Sequence, residues 1–376
     1  MRLLRQAPGD RAGYLLDRGG QVATVAVDAL GADLGLAEVV AGAADAARAG
    51  TRCVLFGPGA KIEAALGSER PVQVEVVDSP AAISGEDEPA RAVRAAPEAS
   101  ISRAAAALAA GDVDALVSAG STGAALAAGL LYVKRLPGVY RPAIAVPVPL
   151  PGGRVLLLDA GANVEVRPEH LVQFAYMGAA FSHSVLGVEQ PRVGLLSVGE
   201  EPGKGTPTVI EAHRRLEGAG LRFVGNVEGS DLAAASVDVV VADGFTGNVA
   251  LKLMEGTARA IGGAVREAAR SGPLSALGGL LLGPKLASLR RRLDPEEVGG
   301  AYLLGLRGLI VICHGGSTRR AIANAVRLAE RGAEERVVER TAQALEAAGA
   351  SRGSDGEQSQ GARGASVGAD SVKLPS

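Results

Sequence analysis

The stretch 155–205 constrains the fold of this chain more than any other. It reads VLLLDAGANVEVRPEHLVQFAYMGAAFSHSVLGVEQPRVGLLSVGEEPGKG. Its apolar runs 155–158 and 193–198 have the length of buried strands, and continuous apolar strands belong mostly to parallel sheets covered on both faces. Between them Pro168 opens a helix at the position where its missing N–H costs nothing. Leu171, Phe174, Ala175 and Gly178 then recur at helical spacing. Each strand of this strand–helix–strand unit runs into a polar, Gly-rich turn, Asp159-Ala-Gly-Ala-Asn163 and Gly199-Glu-Glu-Pro-Gly-Lys204-Gly205. Ligands of open α/β sheets sit outside the carboxyl ends of strands, so the two turns are expected to share one edge.

The rest of the chain repeats the alternation. Strands are predicted over 21–28, 53–56, 72–77, 114–118, 143–150, 222–227, 237–243 and 309–313, with helices between them. The class is α/β, with a largely parallel sheet flanked by helices. The segment 143–150, AIAVPVPL, carries Pro at alternate positions and suits a sheet edge more than a centre. We divide the chain into a loose N-terminal extension at 1–20, an α/β domain at 21–338, a C-terminal helix at 339–350 and a disordered, Ser- and Gly-rich tail at 351–376.

Composition excludes several functions. The 376 residues are 47% hydrophobic, enough for a large core. Aromatics are only 3% and tryptophan is absent, so stacking on nucleic-acid bases has little to work with. A net charge of -2 gives no general reason to bind nucleic acid. The two cysteines, Cys53 and Cys313, form no spaced framework, which points to a reducing cytoplasm and to neither zinc nor structural disulfides. No apolar run approaches the ~20 residues needed to span a bilayer. Arg2 and Arg5 are followed by no apolar core, so no signal peptide is expected.

The candidate chemistry lies at strand ends. Ser118-Ala-Gly120-Ser121-Thr122-Gly123 joins a strand to a helix, where free N–H groups and two hydroxyls can hold an anion; an ordinary N-cap would look the same. The loop at Lys204 is one residue short of a Walker loop and has Gly205 where magnesium needs a hydroxyl, so no nucleoside triphosphate is inferred. Lys204 either reaches a ligand oxygen or is a solvated loop lysine. Asp243-Gly-Phe-Thr-Gly-Asn248 and Phe223-Val-Gly-Asn226-Val-Glu-Gly229 are further polar strand ends, whose Asn and Asp can equally brace their own loops. Cys313 and His314 are adjacent, but neighbours on a strand point to opposite faces. His314 is therefore the site candidate and Cys313 a core residue. His170, His183 and His213 have no metal-ligand spacing. No G-x-S-x-G elbow or H-E-x-x-H occurs, and no G-x-G-x-x-G follows the first strand.

The segment 267–297 differs in character. Leu274, Leu277 and Leu281 recur at helical spacing, as do Leu286, Leu289 and Leu293. Lys285, Arg290, Arg291 and Arg292 accompany them, and Gly283-Pro284 is expected to split the run. A basic amphipathic helical hairpin with narrow apolar stripes can lie on an anionic membrane, or pack against the core or a second copy.

Taken in order, these motifs resemble the bacterial phosphate acyltransferases, the PlsX family. They are Asp28-Ala-Leu-Gly31-Ala-Asp33, Ser118-Ala-Gly-Ser-Thr-Gly123, Leu158-Asp-Ala-Gly-Ala-Asn163, Gly199-Glu-Glu-Pro-Gly-Lys204, Phe223-Val-Gly-Asn226-Val-Glu-Gly229, Asp243-Gly-Phe-Thr-Gly-Asn248 and His314-Gly-Gly-Ser317. The resemblance covers about 22–329. It implies a fold like the isocitrate and isopropylmalate dehydrogenases and phosphotransacetylase, and a homodimer without cofactor. The implied reaction makes acyl phosphate from long-chain acyl–acyl carrier protein and inorganic phosphate. The product would feed a glycerol-3-phosphate acyltransferase in membrane phospholipid synthesis, on a cytoplasmic protein associated peripherally with anionic membrane. Rival readings are a phosphotransacetylase-like enzyme using acyl-CoA and a catalytically idle scaffold.

Phosphate is already an oxyanion near pH 7, so positioning and electrostatics suffice. On the resemblance, Ser118, Gly120, Ser121, Thr122 and Gly123 hold phosphate and Lys204 neutralises negative charge. Asn226 and Asn248 donate to the carbonyl or the phosphopantetheine, and His314 protonates the sulfur. Asp28, Asp33, Asn163 and Asp243 orient these groups, and Leu274, Leu277, Leu281, Lys285, Leu286, Leu289 and Arg290 touch membrane. The family's first motif has Met, Gly and His where this chain has Leu30, Ala32 and Leu34. A segment that commonly holds several Lys reads Arg94-Ala-Ala-Pro-Glu-Ala-Ser100 here.

Overall fold

The computed structural model describes residues 22–350. The expected extension and tail lie outside them. Strands β1 (Thr24–Asp28), β2 (Arg52–Gly57), β3 (Val74–Asp78), β4 (Ala115–Ser118), β5 (Ala143–Leu150), β6 (Gly153–Leu158), β7 (Val193–Leu196), β8 (Phe223–Val227), β9 (Val239–Val241), β10 (Ala301–Leu304) and β11 (Leu309–Ile312) form one sheet. Its order is β3-β2-β1-β4-β11-β10-β5-β6-β9-β7-β8.

Alternation along the strands divides the core between two faces. Val25 and Val27 pack on one face and Ala26 on the other; Leu156 and Leu158 likewise oppose Val155 and Leu157. Helices cover both faces, which is why the strands read as unbroken apolar runs. The helix Pro168–Leu186 begins where Pro168 predicts, and the His170 ring accepts from the Arg167 N–H to cap it.

The two halves of the sheet run in opposite directions. β1, β2, β3, β4 and β11 are mutually parallel. β10 is antiparallel to β11 and β5, and β5 is antiparallel to β6. β6, β9, β7 and β8 are then parallel among themselves but reversed relative to β1. The turns after β6 and β7 share one edge as expected. The turns after β1, β4 and β11 point the other way.

Three expectations are corrected. First, β5 is interior. Its partner β10 reaches only Ala143–Ala145, however, so Pro147 and Pro149 pair with β6 alone and lack a second neighbour to disappoint. β10 itself went unpredicted, being a short antiparallel run between Gly300 and Gly305. Second, the segment 273–292 is one helix, continuous through Pro284. Proline strains the preceding residue partly through that residue's Cβ, and Gly283 has none. The hairpin is made instead by the long helix Gly244–Arg270 folding back at 271–272 onto the helix Pro273–Arg292. Third, the apolar stripe is not narrow: Leu274, Leu277, Leu280, Leu281 and Leu282 are all exposed, so leucine surrounds the outer half of this helix. No helix among the described residues is long and apolar enough to cross a membrane.

Candidate active site

Parallel pairing brings the first group of candidates together. Asp28 ends β1 beside Ser118 of β4, and Ile312 of β11 lies beside Ser118 on the other side. The turns that follow touch backbone to backbone. Gly31 has φ +84°, and a Cβ there would meet the Gly120 Cα at 3.0 Å, so glycine is required on both counts. Ala32 takes no positive φ, so its replacement of a family glycine brings no strain. Ser121 Oγ accepts from the Ala124 N–H at 3.4 Å and caps the helix Thr122–Ala128, leaving Thr122 exposed.

Asp33 and His314 flank this turn. The Asp33 N–H donates to the Gly315 carbonyl at 2.8 Å. His314 is exposed, and its Nδ1 accepts from the Gly316 N–H at 3.1 Å. That bond assigns the neutral ring its proton on Nε2. Cys313 is buried, and burial pushes its thiol up to about 12. A thiol so disfavoured as thiolate is no nucleophile, in keeping with its core assignment.

A second group surrounds Asp159, whose carboxylate is fully buried. Oδ1 accepts from the N–H groups of Ile144, Gly161 and Ala162 at 2.9, 3.1 and 3.0 Å. Oδ2 accepts from Asn163 N and Nδ2 at 2.7 and 2.8 Å. Burial raises its pKa, against the pull of these donors. Asn163 Nδ2 also donates to the Pro142 carbonyl at 2.7 Å, so Asn163 is occupied in holding the turn. The helix Gly244–Arg270 seats its N-terminus here: a Cβ on Gly247 would lie 2.0 Å from the Asp159 carbonyl oxygen. Asp243 caps that helix through the Thr246 N–H and hydroxyl, at 2.8 and 2.7 Å. Asn248 is exposed above Gly161.

A third group holds Lys204. Asn226 Nδ2 donates to the carbonyls of Glu201 and Lys204 at 2.8 and 3.4 Å, and its Oδ1 is 2.9 Å from His213 Nδ1. His213 and Asn226 are buried, and Lys204 is exposed. Asn226 thus ties down the lysine loop.

The first and third groups lie at opposite sheet edges of one chain. From β4 to β7 is six steps along the sheet order, roughly 29 Å at ~4.8 Å per strand. Among the described residues no hydrogen bond or ion pair joins the Ser118 turn to the Lys204 loop. Sequence reasoning missed three residues that the structure supplies: Ser100, which bonds Asp28 across 72 positions, the carboxylate of Asp159, and His213 behind Asn226. Asp159 sits inside a polar turn already conspicuous in the sequence; nothing in the spacing marks Ser100.

The chain matches the family model described as "Fatty acid synthesis protein" over residues 23–340. It is 43% identical over 312 residues to a phosphate acyltransferase of Elusimicrobium minutum, covering 82% of this chain and 91% of that one. A phosphate acyltransferase of Nitratidesulfovibrio vulgaris is 43% identical over 326 residues, covering 85% and 94%. The chain belongs to the phosphate acyltransferase family. It is accordingly a transferase. Among solved structures, a Streptococcus pyogenes phosphotransacetylase superposes with a TM-score of 0.54 at 17% identity, covering 86% of this chain and 94% of that one. The EutD phosphotransacetylase of Staphylococcus aureus gives 0.53 at 18%, covering 83% and 94%. At such identities the likeness is one of fold, and it agrees with the α/β class expected.

Proposed function

We propose that this family member transfers the acyl group of a long-chain acyl–acyl carrier protein to inorganic phosphate, releasing acyl phosphate and free carrier protein. The observation that carries the reading is the hydroxyl-lined turn at 118–123, pressed against Gly31, with the exposed His314 following the neighbouring strand β11. Phosphate sits against Gly120, Ser121, Thr122 and Gly123. Its oxygen attacks the thioester carbon, and the Nε2–H of His314 donates a hydrogen bond to the departing sulfur, a thiolate that then takes its proton from solvent because the free thiol has a pKa of about 8.5. Lys204 offsets the developing negative charge. Asn226 acts by fixing the lysine loop, and Asn163 and Asp243 by holding the turns beside Asn248.

Ser121 and Lys204 lie on oppositely directed halves of the sheet. A reaction using both therefore draws them from two copies, which supports a homodimer. The exposed, leucine-rich helix Pro273–Arg292, with basic Lys285, supports contact with an anionic membrane, where a glycerol-3-phosphate acyltransferase would consume the product.

The test is acyl phosphate formation from palmitoyl carrier protein, palmitoyl-CoA and acetyl-CoA. Preference for the carrier protein is expected. Equal or better turnover of a CoA thioester would favour a phosphotransacetylase-like enzyme. No product from any donor, by a folded protein, would leave a scaffold.

A further inference from the structure

Asp28 is 3% exposed, and no lysine, arginine or histidine among the described residues bonds its carboxylate. Serine hydroxyls take both oxygens instead. Ser100 Oγ donates to Oδ1 at 2.5 Å and Ser118 Oγ to Oδ2 at 2.8 Å. The Leu30 N–H adds a 3.3 Å contact to Oδ1, and Ser118 Oγ itself accepts from the Gly120 N–H at 3.2 Å. A cavity of about 10 Å³ lies among Asp28, Gly31, Ser100, Ser118, Gly120 and Ser121. That is close to the room one water needs; the carboxylate and the serine hydroxyls offer it partners, and Ile83, Ile101 and Ala124 also line it. The carboxylate and the turn assigned to phosphate therefore face each other across one water's width.

Burial is the main influence on Asp28 and raises its pKa to about 6; the Ser100 and Ser118 hydroxyls and the Leu30 N–H pull it back. Titratable side chains on the surrounding elements are Asp33 after β1, Asp78 at the end of β3, Glu88 and Arg91 at the helix Pro89–Ala95, Arg103 on the helix Ser100–Ala110, His314 after β11 and Arg319 at the helix Arg319–Glu334. None of them bonds it.

We propose that Asp28 accepts the proton of the phosphate nucleophile, and that Ser100 is a positioning residue that holds and tunes it. The proposal rests on phosphate binding at 120–123. As the P–O oxygen bonds to the acyl carbon, the hydrogen of hydrogen phosphate passes across the cavity to Asp28. The C–S bond breaks with its electron pair on sulfur. The thiolate takes up a proton, and Asp28 returns its own to solvent. The sum is thioester plus hydrogen phosphate giving acyl phosphate plus thiol. Once its oxygen is bonded to the acyl carbon the phosphate is monoester-like and its remaining hydrogen titrates at about 6, so a carboxylate in the ordinary range of about 4 would be a weak base toward it, and burial without a cation narrows that gap.

The experiment is the pH profile of kcat and of kcat/KM for phosphate, with melting temperatures, for the wild type and four variants. Phosphate's own titration is common to all, so only displacements count. Ser100→Ala removes the leading stabiliser of the ionised form, and the acid limb should move up by about one pH unit. Ser100→Thr, which keeps the hydroxyl, should restore it. Asp28→Asn should lower kcat on the order of 100-fold or more and lose the displaceable limb. Ser121→Asp, a good helix cap that repels phosphate, should abolish phosphate saturation. If Ser121→Asp behaves so while folded Ser100→Ala and Asp28→Asn keep wild-type profiles, the role of Asp28 is overturned and the phosphate site stands. If Ser121→Asp leaves saturation intact, the placement of phosphate fails and this proposal with it.

Discussion

A buried carboxylate without a cation weakens the fold wherever it is charged. Asp28 rises from about 3.8 to about 6 on folding, so between those values the native state binds the proton and the unfolded chain does not. Its destabilising effect is absent below pH 4, grows as pH rises, and is complete above pH 6. Two units correspond to about 3 kcal/mol as an upper bound. Asp28→Asn, whose neighbouring serine hydroxyls can turn to accept, should therefore be more stable than the wild type in urea at pH 8, with the gain vanishing at pH 4. An unchanged difference at the two pH values would mean that Asp28 does not titrate in this range. Lys204 and Asn226 make a second contrast. Lys204→Ala should cut acyl phosphate formation on the order of 100-fold with no loss of melting temperature, because the side chain is exposed. Asn226→Ala should lose activity and about 1–3 kcal/mol together, since it orphans His213 and two loop carbonyls. Equal melting losses in both variants would contradict this division of roles.

At the scale of elements, the helix Pro273–Arg292 should bind anionic vesicles without serving the chemistry. Leu274, Leu277, Leu280, Leu281 and Leu282 are more than half exposed, and a chain does not bury its core by leaving them there. Leu277→Ser with Leu281→Ser should abolish co-sedimentation with anionic vesicles and spare melting temperature and activity; high salt should weaken wild-type binding, since each basic group near the surface contributes about 1 kcal/mol and is screened. Unfolding of the double variant would instead mark a packed hairpin. The same helix shows why part of the fold was legible and part was not. Unbroken apolar runs such as 155–158 announced buried strands, and Pro168 fixed a helix start, because both signals act within a few residues. The helix continues through Pro284 against proline's usual effect, and Gly283, lacking a Cβ, removes one of the clashes that would oppose it. β10 is four residues long; it pairs in a hairpin with β11 and, on its other side, with β5, which lies far earlier in the chain. The bond from Ser100 to Asp28 spans 72 residues and leaves no local pattern at all.

For the whole molecule the deciding feature is the reversal of strand direction across β10 and β5. Each candidate turn was readable from its own sequence, yet the sheet sends the Ser118 turn and the Lys204 loop to differently directed halves, roughly 29 Å apart along the sheet at ~4.8 Å per strand. If both serve one reaction, a two-fold dimer must place the lysine loop of one copy at the phosphate turn of the other. Two inactive chains should then complement each other. Ser121→Asp damages only the phosphate turn, and Lys204→Ala only the loop. In a mixed dimer one site carries both defects and the other carries neither. Equal amounts that exchange freely give half mixed dimers, each with one intact site of two, so about a quarter of wild-type activity should return. The measurement is acyl phosphate formation before and after subunit exchange of the two purified variants, with each variant exchanged against itself as control. Were both residues to act within one chain, or at unrelated sites, every chain would keep its own defect and mixing would restore nothing.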